Sequence, residues 1–568
     1  MAKNFKCWPK GFPQSQFYPK KPVFNILEQT AKRVPNRLAI IFAGTEITYG
    51  ELKILSERFA SALNDLGVKK GDRVSIHLVN CPQFAIAYYG IMRLGAVFTP
   101  LSPLLSPREF TYQLNDSQSE TLITLDLLYP GIASAIPQTQ IKRVISTSIA
   151  DCFNPITSPL KPLAKMAVPD TLDMVSLLQR YAPFTDSVSI DVEKDIAHLA
   201  YTGGTTGLSK GVVLTHANVE ANVLQYGNWA SGAMLKEVEG GWEPVYPEGV
   251  NLSDLPLQQD KEISVVVVPW FHAMGTVGYL NNQVYGGNTM ILLPRFDPQE
   301  YLDVIVKYKA TFIGGAPQLY IPMINHPDFE KYDLSTVKYA GSGAAPLPLA
   351  IIKKMTGKLG VDYISEGYGL TECTMGATMT PVGLKGARPG SVGLPVFDTE
   401  IKIIDVGSGE ELPPGKEGEV LIKGPQVMQG YYNKPEASAE VLKDGWLHTG
   451  DIGQMDEDGY LYITDRLKDM IIYKGYNVYP RELEEILFRF PAVEQCAVVG
   501  KPDTEAGEIP VAFIKLAPGK EATVDEVMQY MNAEVAAYKK IREVVFTDEI
   551  PVSAAGKVLK RELRKQLE

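Results

Sequence analysis

The chain has 568 residues, more than one hydrophobic core supports, so at least two domains are expected. With 45% hydrophobic and 21% charged residues it reads as an ordinary globular protein able to bury a large core, which excludes disordered and fibrous classes. A formal charge of −11 argues against broad nucleic-acid binding while leaving room for a local basic patch. The five cysteines (Cys7, Cys81, Cys152, Cys373 and Cys496) are scattered and show no paired spacing, so neither a disulfide framework nor a zinc site is expected, and a reducing cytoplasm is. Met1 to Lys20 has no continuous apolar stretch, and no segment reaches the roughly 20 apolar residues of a membrane span. No transmembrane segment is expected; peripheral membrane contact and a homodimer stay open.

Strand-length apolar runs alternate with longer helical patterns, which predicts α/β layers with helices covering doubly wound sheets. Glu51 to Leu66 predicts an amphipathic helix, Val74 to Leu78 a strand, and Pro82 to Leu94 a second helix ending near Gly95. Asn154 to Pro169, rich in Pro, Ser and Lys, predicts a surface loop. Between Trp229 and Ile263 lies a long stretch of Gly, Glu, Pro and Asp, as suited to covering a pocket as to an inert excursion. Val265-Val266-Val267-Val268 predicts a buried strand. Lys338 to Ala340 predicts a strand leading into the turn Gly341-Ser342-Gly343-Ala344-Ala345-Pro346.

The densest chemical signal is Tyr201-Thr202-Gly203-Gly204-Thr205-Thr206-Gly207-Leu208-Ser209-Lys210-Gly211. Its glycines let backbone N–H groups approach phosphate oxygens, Thr and Ser hydroxyls add donors, and Lys210 adds a compact positive charge. It is not the P-loop of nucleotide triphosphatases, because Ser209 precedes Lys210 and Gly211 follows it.

This loop resembles the phosphate loop of the adenylate-forming superfamily, which includes acyl-CoA synthetases. The resemblance runs on through Ile47-Thr48-Tyr49-Gly50-Glu51-Leu52, Leu94 to Leu101, Gly367-Tyr368-Gly369-Leu370-Thr371-Glu372, His448-Thr449-Gly450-Asp451, Asp465-Arg466-Leu467-Lys468-Asp469 and Gly556-Lys557. It implies a large N-terminal domain, residues 1–467, of layered α/β subdomains, and a small mobile α+β C-terminal domain, residues 468–568, turning on a hinge at Lys468. In the family the small domain swings between an adenylation pose and a thioesterification pose.

The resemblance implies ATP, Mg²⁺ and CoA as cosubstrates and metal. Thr202, Gly203, Gly204, Thr205, Thr206, Gly207, Ser209 and Lys210 would hold the phosphates, with Glu372 and the Thr202 hydroxyl as Mg²⁺ ligands. Gly343, Ala344, Gly367, Gly369 and Thr371 would line the nucleotide site. Tyr368 would stack on adenine, Asp451 would accept from the ribose hydroxyls, and Arg466 would reach ribose or phosphate. Glu366 stands where relatives often carry Gln or Asn; an ionised Glu accepts from the adenine amino group but cannot donate. Lys557 would bridge the substrate carboxylate and the α-phosphate, in a reaction that needs alignment and charge neutralisation more than a general base.

Pro269-Trp270-Phe271-His272-Ala273-Met274-Gly275 is expected to line the acyl pocket, with Trp270, Met274, Tyr279, Ala316, Gly341 and Met379 as an apolar, adaptable surround. His272 stands where amino-acid-activating members carry Asp, so the substrate is read as an amine-free carboxylic acid, and His272 as a positioning group without acid–base duty. A medium- to long-chain fatty acid fits best; an aryl or cinnamate-type acid also fits. Lys474, Gly475 and Tyr476 resemble the segment flanking the CoA pantetheine tunnel. The expected function is AMP-forming acyl-CoA synthesis, with loading of a carrier protein and a non-catalytic acyl- or nucleotide-binding regulator as rivals.

Overall fold

The structure is a computed structural model, and it describes residues 7–9, 11–151, 165–202, 209–239, 241–248, 250, 255–345, 347–381, 387–474, 476–552 and 557–567. Two large, mainly parallel sheets form the body. An eight-stranded sheet runs, by edge order, through Gly430–Tyr431, Gly211–Thr215, Ile196–Tyr201, Val97–Pro100, Arg73–His77, Thr121–Leu125, Arg143–Thr147 and Leu172–Asp173. A nine-stranded sheet runs through Leu394–Pro395, Thr378–Met379, Ser365–Tyr368, Tyr339–Ser342, Phe312–Gly315, Ile263–Val266, Thr289–Leu292, Leu38–Phe42 and Thr45–Thr48.

The helices Pro82–Leu94 and His216–Ser231 are buried on nearly every face, which a helix sandwiched between layers must be. One continuous core accordingly joins Val74 and Leu214 of one sheet to Ile40 and Val266 of the other. The helix Tyr49–Asp65 starts on a reciprocal cap in which the Thr48 side chain accepts from the Glu51 N–H and Glu51 accepts from the Thr48 N–H. Pro82–Leu94 ends at Gly95, whose φ of 66° places it in the left-handed region that favours glycine. A second core covers the outer face of the nine-stranded sheet, under helices Pro298–Tyr308, Pro317–Ile324 and Leu349–Leu359.

A five-stranded antiparallel sheet, built on Glu400–Ile404, Gly418–Lys423, Trp446–Met455, Leu442–Lys443 and Leu461–Arg466, closes the large domain. Among the described residues, the strands from Ile471 onward pair with one another, in a separate sheet of Tyr476–Val478, Ile471–Tyr473, Gly507–Leu516, Val493–Asp503 and Glu543–Phe546, with cores of their own. Sheet membership therefore changes between Arg466 and Ile471. The mixed α/β class with a large and a small domain is as expected; the antiparallel sheet was not anticipated. Residues 154–164 of the expected surface loop lie outside the described residues. Among the described residues no helix is long and apolar enough to cross a membrane.

The stretch 230–262 is not formless. Met234–Val238 and Gly241–Val245 make a hairpin, the Trp242 ring is buried against Tyr285, and Leu257, Gln258 and Gln259 reach the wall of the main cavity.

Candidate active site

Parallel sheets tend to bind ligands at the carboxyl ends of their strands, and here those ends of the nine-stranded sheet border a cavity. Tyr339–Ser342 ends at Gly343 and Ala344; Ser365–Tyr368 ends at Gly369; Ile263–Val266 leads into His272. All of these except the strand bodies border one cavity enclosing about 1240 Å³ of space, part of it open to solvent. Gly341, Gly367, Tyr368, Thr371, Met274, Tyr279 and Met379 also lie on its wall.

After Trp270 the chain forms a π-helical segment, Met274–Asn281, a widened turn of the kind frequent at functional sites. Gly275 is required there, since a Cβ would fall 1.9 Å from the Pro269 carbonyl oxygen. This geometry puts His272 and Met274 on the wall and turns Trp270 away. Trp270 is fully buried, donates from its indole N–H to the Tyr279 carbonyl at 3.0 Å, and meets Phe84 edge to face, so its expected place in the pocket wall is corrected to a core position behind it. Ala316, the cap residue of the helix Pro317–Ile324, is likewise not among the residues bordering the cavity.

Asp451 is the junction of the polar half of the site. It accepts from the Tyr368 hydroxyl at 2.6 Å and pairs with the Arg466 Nε at 3.1 Å, across an antiparallel register that sets Asp451 opposite Arg466. Glu372 accepts from the Tyr431 hydroxyl at 2.8 Å, and the Lys210 ammonium lies 4.6 Å from the centre of the Tyr431 ring. Tyr431 is carried there by pairing of Gly430–Tyr431 with Gly211–Thr215. The phosphate-loop roots are tied together: the Thr202 N–H donates to the Lys210 carbonyl at 3.0 Å and the Lys210 N–H to the Thr202 hydroxyl at 3.2 Å. Gln113 donates to the Ser209 hydroxyl at 3.0 Å. Gly203, Gly204, Thr205, Thr206 and Gly207 lie outside the described residues, as does Gly475.

Lys557, from the far C-terminal domain, stands on the wall of this cavity. Burial, with Arg466 nearby, pulls its ammonium below the usual lysine value, while Asp451 and Glu372 oppose that. Burial, helped by Lys557, pulls His272 down to about 4, so it is neutral at physiological pH, as a positioning group should be. Burial pushes Glu366 up to about 7, so near neutrality it is partly protonated and can donate as well as accept, which amends the reading of an obligatory acceptor. Burial also holds the Cys373 thiol up at about 12, where it is no nucleophile.

Lys474 and Tyr476 are not brought to the cavity. They sit in the hairpin of Ile471–Tyr473 and Tyr476–Val478, where Tyr476 is 59% exposed and stacked on Tyr538. Lys468 is exposed, beside Arg466 and Asp469, in the segment joining the two domains' sheets.

The Glu372 carboxylate and Thr202 hydroxyl offer the hard oxygen donors that suit Mg²⁺ held mainly through phosphate and water. Among the described residues no three His, Cys, Asp or Glu side chains converge as a metal cage. Sequence reasoning missed Tyr226, whose hydroxyl donates to the Thr378 carbonyl at 2.7 Å on the cavity wall, and Met375 opposite Gly278. Neither carries a motif; Tyr226 is one ring in a helix that mixes polar and apolar residues and is buried on nearly every face.

Against known proteins, residues 27–432 match the family model of the AMP-binding enzymes and residues 482–557 that of the AMP-binding enzyme C-terminal domain. The chain is 38% identical to a long-chain-fatty-acid–CoA ligase of Bacillus subtilis over 98% of its length and 97% of that protein's, and 34% identical to one of Escherichia coli over 99% and 98%. It superposes on the anthranilate CoA ligase AuaEII in complex with anthranoyl-AMP with a TM-score of 0.84 at 26% identity, covering 98% of this chain and 99% of that one. The chain belongs to the AMP-binding enzyme family, the adenylate-forming ligases.

Proposed function

We propose that this chain is an ATP- and Mg²⁺-dependent long-chain acyl-CoA synthetase working in the cytoplasm. The observation that carries the reading is the single cavity that joins Lys557 and Tyr368 at one end to the apolar wall of Met274, Met375 and Met379 further in. A carboxylate whose chain fills the apolar part has its head group beside Lys557, on the cavity wall where an α-phosphate would lie. The full-length likeness to fatty-acid–CoA ligases supports the alkyl rather than the aryl acid.

In the first half-reaction a carboxylate oxygen bonds to the α-phosphorus of ATP, the α–β phosphoanhydride bond breaks, and pyrophosphate leaves. Lys557 neutralises charge shared between the carboxylate and the phosphate, His272 shapes the carboxylate site, and the loop 203–210 receives the phosphates. Tyr368 stacks on adenine, Gly343 and Ala344 pass beside it, and Asp451 accepts from the ribose, held in place by Arg466. Mg²⁺, when bound by Glu372 and Thr202, supplies charge neutralisation on the phosphates. In the second half-reaction the CoA sulfur bonds to the acyl carbon, the bond to AMP breaks, AMP leaves, and the thiol proton passes to solvent. The domain 468–568 turns at Lys468 to bring Lys474, Gly475 and Tyr476 to the thiol, in the manner of a lid that changes the residues facing the site.

Incubating the protein with a long-chain fatty acid, ATP, Mg²⁺ and CoA tests this: AMP and acyl-CoA should form in equal amounts. Formation of AMP with no thioester unless a carrier protein is added would overturn the choice of CoA.

A further inference from the structure

The insertion rejoins the large domain as an arm, residues 257–262, that borders the main cavity through Leu257, Gln258 and Gln259. The topology fixes where. The arm runs into the amino end of the strand Ile263–Val266, and the turn at residues 286–288 runs into the amino end of its parallel neighbour Thr289–Leu292. His272 lies beyond the carboxyl end of Ile263–Val266, and Lys557 stands near enough to His272 to disfavour its protonation. The four residues of that strand, at about 3.3 Å each, separate the arm from the Lys557 end by about 13 Å or more. One cavity reaches both.

Between these ends the wall is made of small residues. From Asn218 to Ser231 the helix His216–Ser231 is buried except at Tyr226, Gly227 and Ala230, and all three border the cavity. At Gly227 a Cβ would fall 2.5 Å from the Tyr285 ring, and at Gly232, just past the helix, 2.8 Å from Leu255, which leads into the arm. The arm is pinned in place. The Asp260 N–H donates to the Gly286 carbonyl at 2.7 Å, and the Arg33 guanidinium holds the Asp260 carboxylate at 2.9 Å and the Tyr285 carbonyl at 3.1 Å. Its polar groups are engaged within the insertion: the Gln258 N–H donates to Glu262 at 2.9 Å, the Lys261 ammonium to the Gln258 side chain at 2.8 Å, and the Gln259 N–H to the Tyr246 hydroxyl at 3.4 Å. Leu257, 6% exposed, is the apolar side chain the arm brings to the cavity border.

We propose that this arm is the end wall of the acyl pocket, with Leu257 meeting the end of the chain, so that the insertion sets the longest acid the enzyme accepts. The inference rests on the acyl-CoA synthetase reading and names the length-determining part of that same site. The carboxylate lies toward Lys557, and the chain passes Ala230 and ends at the arm.

The test is kcat/KM along a series of unbranched fatty acids, followed as acyl-CoA formation, for the parent protein and two kinds of variant. Leu257→Ala, or Asp260→Ala should the first fail to fold, should raise the next longer acid relative to the parent's best acid by roughly tenfold, the worth of a methylene in a fitted pocket. Ala230→Leu, which adds bulk ahead of the arm, should shift the preference to shorter acids. A length profile shortened by Ala230→Leu but unmoved by the arm variant overturns the inference, because the chain then reaches the deep end and is stopped by something else. A profile unmoved by either overturns it too, because the chain never reaches this end. In both cases the parent still makes acyl-CoA and the synthetase reading stands. If the parent gives acyl-CoA from no acid in the series, the synthetase reading fails first and this inference with it.

Discussion

Replacing Glu366 with Gln isolates the electrostatics of the nucleotide end of the site. The carboxyl is buried beneath the loop at Leu347, whose N–H it accepts at 3.4 Å, and faces Arg481 and Glu485 from the small domain's helix Pro480–Leu487. Burial raises its folded value from the ordinary 4.5 to about 7. The folded protein therefore binds this proton more tightly than the unfolded chain, so the associated stability is complete below 4.5 and is lost as the pH rises through 7. The full loss is about 3 kcal/mol, taking about 1.4 kcal/mol for each tenfold change in proton affinity. Gln keeps the acceptor for Leu347 and carries no charge. E366Q should match the parent protein near pH 4, gain on it progressively from pH 4.5 to 7 and hold a constant lead above that, by about 3 °C in Tm for a unit the size of the large domain. Thermal unfolding of both proteins across that range measures it. A Tm difference that does not vary with pH would refute the argument, because an uncharged partner role is lost equally at every pH.

Lys557→Ala should lower adenylate formation by roughly 10² to 10³, the usual cost of one charge-stabilising donor, while thioester formation from supplied acyl-adenylate falls far less; rapid-quench assays of the two halves separate them. At Gly278 a Cβ would already lie 2.9 Å from the Met375 sulfur across the cavity, so Gly278→Val should move the preferred acid to shorter chains, read from kcat/KM along a fatty-acid series. Tyr368→Phe removes the hydroxyl that donates to Asp451 and should raise the KM for ATP by roughly tenfold with little change in the KM for the acid.

Local signals were legible where the backbone itself is constrained. Pro82 at a helix start, Gly95 at its end and the Thr48–Glu51 cap need no tertiary knowledge, and the helix Pro82–Leu94 lies where the pattern puts it. The glycine-bounded motifs likewise carried Tyr368, Asp451, Arg466 and Lys557 to neighbouring positions around one cleft. What could not be read depends on which way a side chain turns. Trp270 and Met274 belong to one motif, yet the π-helical turn sends one into the core and the other to the wall. Tyr226 and Met375 line the cavity from segments with no periodic or compositional mark. The insertion was visible as a composition change, but its docking on Tyr285 and Gly286 through Asp260 and Arg33 is a long-range contact that composition cannot encode.

The account stands on an acyl-adenylate made at Lys557 and consumed by CoA in the same cleft. Its most direct test is a turnover with fatty acid labelled with heavy oxygen in the carboxylate, followed by mass analysis of the AMP released. The account requires the label to appear in the AMP phosphate, one carboxylate oxygen having bonded to the α-phosphorus and left with it. Unlabelled AMP alongside labelled acyl-CoA would contradict it, since the thioester would then have formed without passing through the adenylate.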